Sequence, residues 1–221
     1  MSKEKDSFKI STGVFDREGS DTISSNAFYF ITSLGLAWGF VLTAYFADYA
    51  IQIGFMPDIW QLLLIGLAIP ILGILIAIKS KNPIITFIGY NMVVVPFGFI
   101  LGPAVNHYSP DVVRNAMYTT AGIAIFMGIM GTMFPNFFSK IGGFLLVALF
   151  AMLMVLILQL FIPAMRLHIF DYIGAGLFSL LIGYDMYRAN HIQKTVNNAL
   201  DVCIDLYLDI INLFLFILRS K

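Results

Sequence analysis

Residues 141–162 read IGGFLLVALFAMLMVLILQLFI, a run of 22 positions without a charged side chain. A helix of about 20 apolar residues spans the hydrocarbon core of a bilayer, so this run predicts a membrane-spanning helix. The whole chain has the same character, because 59% of its 221 residues are hydrophobic and 12% are charged. Soluble domains carry about 25% charged residues. The sequence therefore excludes an ordinary soluble domain and indicates a membrane protein.

Six further apolar runs of similar length are bounded by charges, Pro and Gly. They cover residues 27–50, 60–78, 84–103, 115–134, 170–187 and 202–218. The sequence thus predicts an all-α integral membrane protein with seven transmembrane helices. These form one domain over residues 27–221, after a polar cytoplasmic segment over residues 1–26. The seventh run contains Asp205, Asp209 and Asn212, so the alternative that it enters the bilayer without crossing it stays open.

The charges of the chain are few and balanced. Thirteen basic and 13 acidic residues give a net charge of +0, which argues against nucleic acid as a partner. Nine of the 13 Lys and Arg residues flank the spans on the side of the N-terminus, so we expect the N-terminus to be cytoplasmic. The compact size and short connections favour a bacterial plasma membrane.

Proline and glycine interrupt the second and third runs. Pro70 and Pro96 each remove a backbone donor, so we expect kinks there. Two interpretations of Pro96, Gly98 and Gly102 are open. They break the third helix so that its backbone lines a pore, as in transporters, or they belong to a kinked helix that packs closely against its neighbours.

Two aspartates lie inside the apolar runs, Asp185 in the sixth and Asp209 in the middle of the seventh. An ionisable group in hydrocarbon costs about 3 kcal/mol on insertion scales, so both are candidates for function. We expect neither to have a basic partner within one helical turn along its own helix. Asp201, Asp205, Asp209 and Asn212 are spaced by four, four and three residues, so they share one face of the last helix. That face has to point into the bundle, where Asp185 can approach Asp209.

The other acids near the runs are interpreted as structural. They are Asp48, Asp58, Asp111 and Asp171. Asp171 opens the sixth helix, where a carboxylate complements the helix dipole.

If Asp185 and Asp209 pair, we predict that the contact between their two helices is sensitive to protons. Two carboxylates cannot both ionise cheaply in a poorly hydrated site, so one proton is shared between them. When both are ionised, they repel each other and attract a cation such as Ca²⁺, which prefers carboxylate oxygens. The alternative is that each acid is satisfied by a hydroxyl group, with Tyr184, Tyr187 and Tyr207 as candidates.

Two motifs resemble the BAX inhibitor-1 family, also called the transmembrane BAX inhibitor motif family, and particularly its bacterial calcium-leak members. GYD over residues 183–185 ends the sixth run, and DLYLDIINLF covers residues 205–214 in the seventh. Arg219 stands where members keep a basic residue after the last span. A second block runs from Gly98 to Tyr108. The resemblance covers the second to the seventh run.

The resemblance implies that the last helix is surrounded by the other six and that the protein is a pH-dependent Ca²⁺ leak channel. Asp185 and Asp209 then form the proton sensor, with Arg219 as the candidate partner in a latch and Asp205, Asn212, Tyr184 and Tyr207 in supporting positions. Calcium-leak members carry an acidic residue in the second helix, whereas residues 60–78 contain none. No tightly bound cofactor is expected.

Two other classes of function remain as alternatives. An interaction protein that regulates a membrane protease or a cell-death or stress pathway needs no ion flux. An intramembrane aspartyl protease also uses two aspartates on adjacent helices. Its Gly-x-Gly before the second aspartate is absent, since residues 206–208 read LYL. The sequence therefore argues against an enzyme.

Overall fold

The computed structural model describes residues 21–162, 164 and 167–221. Over these residues the chain forms seven helices and no strand. The helices are α1 Ser25–Gln52, α2 Ile59–Lys79, α3 Pro83–Asn106, α4 Pro110–Met133, α5 Pro135–Phe161, α6 His168–His191 and α7 Val196–Arg219. The prediction of an all-α protein is confirmed. Residues 1–20 of the predicted N-terminal segment lie outside the described residues.

Six helices, α1 to α6, are long and apolar enough to cross a membrane. Their outer surfaces carry bulky apolar side chains such as Phe144 of α5, which is 70% exposed, as expected for contact with lipid. α7 is equally long, but three aspartates and Arg219 interrupt its apolar character. The prediction of spanning helices is therefore confirmed for six segments, and a complete crossing by α7 stays a prediction.

Polar caps and prolines set the ends of the helices. The side chains of Ser24, Asp58, Asn82 and Thr195 accept backbone N–H groups in the first turns of α1, α2, α3 and α7, which satisfies donors that have no partner within the helix. Proline begins α3, α4 and α5, where its missing N–H costs nothing. These caps and prolines fix where the helices begin.

α7 is buried along most of its length. It packs against α1, α2, α3, α4 and α6, and its end meets α5 through a hydrogen bond from Arg219 to Gln159. This placement buries the polar face predicted for the last helix. Enclosure of α7 by all six other helices stays a prediction.

Pro70 has the expected effect on α2. A π-helical turn occupies Leu64–Ala68, and the N–H of Ile69 donates to the carbonyl of Leu64. The wider turn lies directly before the proline, whose ring would clash with the carbonyl four residues earlier in a regular helix. The widened turn accommodates Pro70 without ending the helix.

α3 does not break at Pro96, Gly98 and Gly102, because it is continuous from Pro83 to Asn106. The three residues are buried, and both glycines face α1. A Cβ atom at Gly98 would lie 2.6 Å from Cβ of Phe46, and one at Gly102 would lie 2.4 Å from the carbonyl oxygen of Ala47. The interpretation of a broken helix is wrong. These small residues let two helices approach closely.

A close approach at glycine also joins α4 to α6. A Cβ atom at Gly131 would lie 2.0 Å from the carbonyl oxygen of Gly183. Gly183 immediately precedes Tyr184 and Asp185, so this contact fixes the backbone of α6 next to the candidate site.

Candidate functional site

The candidate site lies between α6 and α7. α6 ends at His191, four residues connect it to α7, and Thr195 caps the new helix at the N–H of Asn198 with a distance of 3.1 Å. This short connection forces the two helices to pack side by side, so their aspartates face each other within the bundle. The connection lies at the end of the bundle where α1 begins, because the N–H of Ile23 donates to the carbonyl of Lys194.

Asp185 and Asp209 are both buried, with 6% and 7% of their surfaces exposed. Their carboxyl groups lie within side-chain hydrogen-bonding reach of each other. Over the described part of the chain, Oδ2 of Asp209 has no hydrogen-bond partner. A buried acceptor without a donor costs about 1–3 kcal/mol, and a proton held between the two carboxyl groups removes that cost. The predicted role of Asp185 and Asp209 as a proton-sharing pair stays a prediction.

Arg188 is the main residue that the sequence interpretation missed. It is 4% exposed, and its Nη1 lies 2.7 Å from Oδ2 of Asp205 and 3.5 Å from Oδ1 of Asp185. The assignment of no basic partner to Asp185 is therefore wrong. The signal was present in the sequence, since residues three apart on a helix are neighbours. Asp205 enters the site as a partner of this arginine.

A second polar cluster lies at the opposite end of α6 and α7. Nε of Arg219 lies 3.1 Å from Oδ1 of Asp171, an ion pair without hydrogen-bond geometry, and its Nη2 donates to Oε1 of Gln159 at 3.2 Å. The guanidinium group also lies over the ring of Phe216, 5.6 Å from its centroid. Arg219 thus joins α5, α6 and α7 and has no acidic partner in α2. Asp171 lies in the first turn of α6, as expected for a residue that complements the helix dipole, and the ion pair with Arg219 adds a second structural contact.

The predicted supporting residues Tyr184, Tyr207 and Asn212 have other contacts. The hydroxyl groups of Tyr207 and Thr43 share a hydrogen bond of 2.6 Å between α7 and α1. Nδ2 of Asn212 donates to the carbonyl of Leu208 in its own helix at 2.8 Å. The ring of Tyr184 lies against Gly142 of α5. These contacts do not test the predicted role of the three residues in gating, which stays a prediction.

The described residues contain no group of three or more His, Cys, Asp or Glu side chains arranged to hold a metal ion. Ca²⁺ takes six to eight oxygen ligands in a resident site.

The fold and the site together define an integral membrane protein whose buried acidic and basic groups lie between its last two helices. Residues 26–220 match the family described as "Inhibitor of apoptosis-promoting Bax1". The chain belongs to this family, the BAX inhibitor family. The resemblance based on the two motifs is confirmed at the level of the family, and the bacterial calcium-leak subtype stays a prediction.

Individual relatives are more distant. The chain is 28% identical over 148 residues to the uncharacterized protein YrjE of Lactococcus lactis, which covers 64% of this chain and 62% of that protein. It is 28% identical over 124 residues to Bax inhibitor 1 of Schizosaccharomyces pombe, and this aligned region covers 55% of this chain and 46% of that protein. An uncharacterized protein of Deinococcus radiodurans is 27% identical over 141 residues, 60% of each chain. The matched regions thus span between about half and two thirds of these relatives.

Proposed function

We propose that this protein is a pH-sensitive Ca²⁺ leak channel and that the pair of Asp185 and Asp209 is its gate. The observation that carries the proposal is a buried pair of carboxyl groups on two adjacent helices, with one oxygen of Asp209 lacking a partner over the described residues. Ionisable groups are costly inside a membrane protein and mark ion or proton pathways. Membership in the BAX inhibitor family supports a non-enzymatic role.

The gate depends on the number of protons that the pair holds. One shared proton joins the two carboxyl groups and holds α6 against α7, which closes the pathway. As the pH rises, the proton leaves and the two negative charges repel each other. The helices then separate at this level and the carboxylates accept a cation. The flux of Ca²⁺ therefore increases with pH.

The proposal includes the setting of the channel. α7 is the central helix, and the other six surround it in a bacterial plasma membrane with the N-terminus in the cytoplasm. Ca²⁺ and protons are its ligands, the bilayer is its environment, and no tightly bound cofactor is needed. The contacts of α7 with α1, α2, α3, α4 and α6 support the central position.

Ca²⁺ flux into liposomes that contain the purified protein tests this function. Flux is measured from about pH 5 to about pH 8, the range over which His and perturbed acids titrate. We expect flux through the native protein to rise with pH. Asp209→Asn removes the shared proton and one charge, so its flux becomes nearly independent of pH.

Asp111→Asn is the matched control, because it is the same change at a helical aspartate whose side chain is 77% exposed and pairs with Arg114. It should keep the pH dependence of the native protein. Absence of flux, or flux through the native protein that does not change with pH, contradicts the proposal. Absent flux together with a protein partner that binds equally well without the two aspartates favours an interaction protein instead.

A further inference from the structure

Arg188 occupies the carboxylate oxygens that a transported cation needs. Its Nη1 lies 2.7 Å from Oδ2 of Asp205 on α7 and 3.5 Å from Oδ1 of Asp185 on α6. A guanidinium group stays protonated at every physiological pH. Arg188 is thus a permanent positive charge inside the cluster, and it cannot diffuse away because it is part of α6.

The charge of the cluster follows from its members. Asp185, Asp205 and Asp209 with Arg188 carry a net charge of about −2 when all are ionised and about −1 when one proton is shared. A divalent cation therefore neutralises the fully ionised cluster. Loss of Arg188 makes the ionised cluster more negative by one unit charge and leaves two carboxylates without their cation.

The other charged groups at this end of the bundle have their own contacts. Lys194, in the connection between α6 and α7, donates to the carbonyls of Ala189 and Ile192, and burial lowers its pKa. Nδ1 of His191 bonds to the carbonyl of Tyr187 at 2.7 Å. Asp201 is buried one turn before Asp205. Among the described residues, Arg188 is the basic side chain within 4 Å of Asp185 and Asp205.

We infer that Arg188 is a tethered cation that competes with the transported Ca²⁺ for Asp185 and Asp205. This inference rests on the proposed function. In the closed protein the guanidinium group satisfies these two carboxylates, and Oδ2 of Asp209 is buried without a hydrogen-bond partner among the described residues. Passage of Ca²⁺ requires the arginine to release its partners. Arg188 thereby sets the Ca²⁺ concentration at which the channel conducts.

Flux as a function of Ca²⁺ concentration at a fixed pH near 7 tests this inference. The Arg188→Gln variant should reach half-maximal flux at a Ca²⁺ concentration about tenfold lower than the native protein, because one competing charge at contact distance is lost. A residue with a merely structural role changes the amount of folded protein and thus the maximal flux. It does not move the concentration of half-maximal flux.

Arg114→Gln is a matched control, since Arg114 pairs with Asp111 at 2.7 Å across the same three-residue spacing but is 62% exposed on its side chain. Its half-maximal concentration should equal that of the native protein. A second variant covers the case in which Arg188→Gln does not fold. Arg188→Gln combined with Asp205→Asn keeps the formal charge of the native cluster and removes the tethered cation, so it should also conduct at lower Ca²⁺ concentration.

The outcomes separate this inference from the function on which it rests. If the native protein shows no pH-dependent flux, the proposed function fails. If the native flux depends on Asp209 but neither Arg188 variant shifts the half-maximal Ca²⁺ concentration, the tethered-cation role is wrong and the channel function stands.

Discussion

Gly131→Ala is expected to lower the free energy of unfolding by about 2 kcal/mol. The new methyl group would lie 2.0 Å from the carbonyl oxygen of Gly183 and 2.9 Å from its carbonyl carbon. Backbone atoms cannot rotate away, so α4 and α6 have to move apart. Overpacking of this kind costs about 3 kcal/mol, and the better helix propensity of alanine offsets about 1 kcal/mol. Thermal unfolding of the purified protein in detergent measures the loss.

Gly122→Ala is the control, because it lies in the same helix and a Cβ atom there meets nothing within 4 Å. We expect it to be neutral or slightly stabilising. Equal melting temperatures for the Gly131 and Gly122 variants would show that α4 and α6 are not packed as closely as described. Because Gly183 is two residues before Asp185, the Gly131 variant should also disturb the aspartate pair.

The sequence predicted the helices well and their contacts poorly. The apolar runs are long and their ends carry Pro, Asn or Asp, so composition and local chemistry located α1 to α7. The contacts of Gly98 and Gly102 depend on which helix lies opposite, and no local signal carries that information. Glycine in a membrane helix fits either a break or a close approach. The structure shows the close approach to Phe46 and Ala47 of α1.

The candidate site was predictable where it depended on helical spacing and unpredictable where it depended on tertiary contact. Asp185 and Asp209 were found because charge in an apolar run is conspicuous. Arg188 lies at a spacing that identifies a partner for Asp185, but its stronger contact is to Asp205 on another helix. The pairing of Arg219 with Asp171 joins residues 48 positions apart. Residues 60–78 contain no acid that could take this role, but no local signal identifies Asp171 as the partner instead.

Two ion pairs connect α6 to α7, and they have opposite directions. At the end where α1 begins, Arg188 of α6 pairs with Asp205 of α7. At the other end, Arg219 of α7 pairs with Asp171 of α6. The second ion pair thus lies at the opposite end of α6 and α7 from the connection between them.

Loss of that second contact should destabilise the protein measurably. Arg219→Gln is expected to lower the free energy of unfolding by about 2 kcal/mol, because the buried carboxylate of Asp171 loses its arginine and keeps only the more distant Nδ1 of His168, at 3.7 Å, as a basic neighbour among the described residues. The value is at the low end for buried pairs, since 37% of the Arg219 side chain is exposed. Asp171→Asn should cost less, because the amide carries no charge. The double variant should be more stable than the sum of the two losses predicts, and thermal unfolding of all four proteins gives this coupling.

The pair of Asp111 and Arg114 provides the comparison for this cycle. Their side chains are 77% and 62% exposed, so a cycle with Asp111→Asn and Arg114→Gln should give a coupling of about 0.2–1 kcal/mol, which salt reduces further. A coupling between Asp171 and Arg219 as small as this would contradict a structural latch at that end. A larger and salt-resistant coupling would support a structural latch between α6 and α7 at that end.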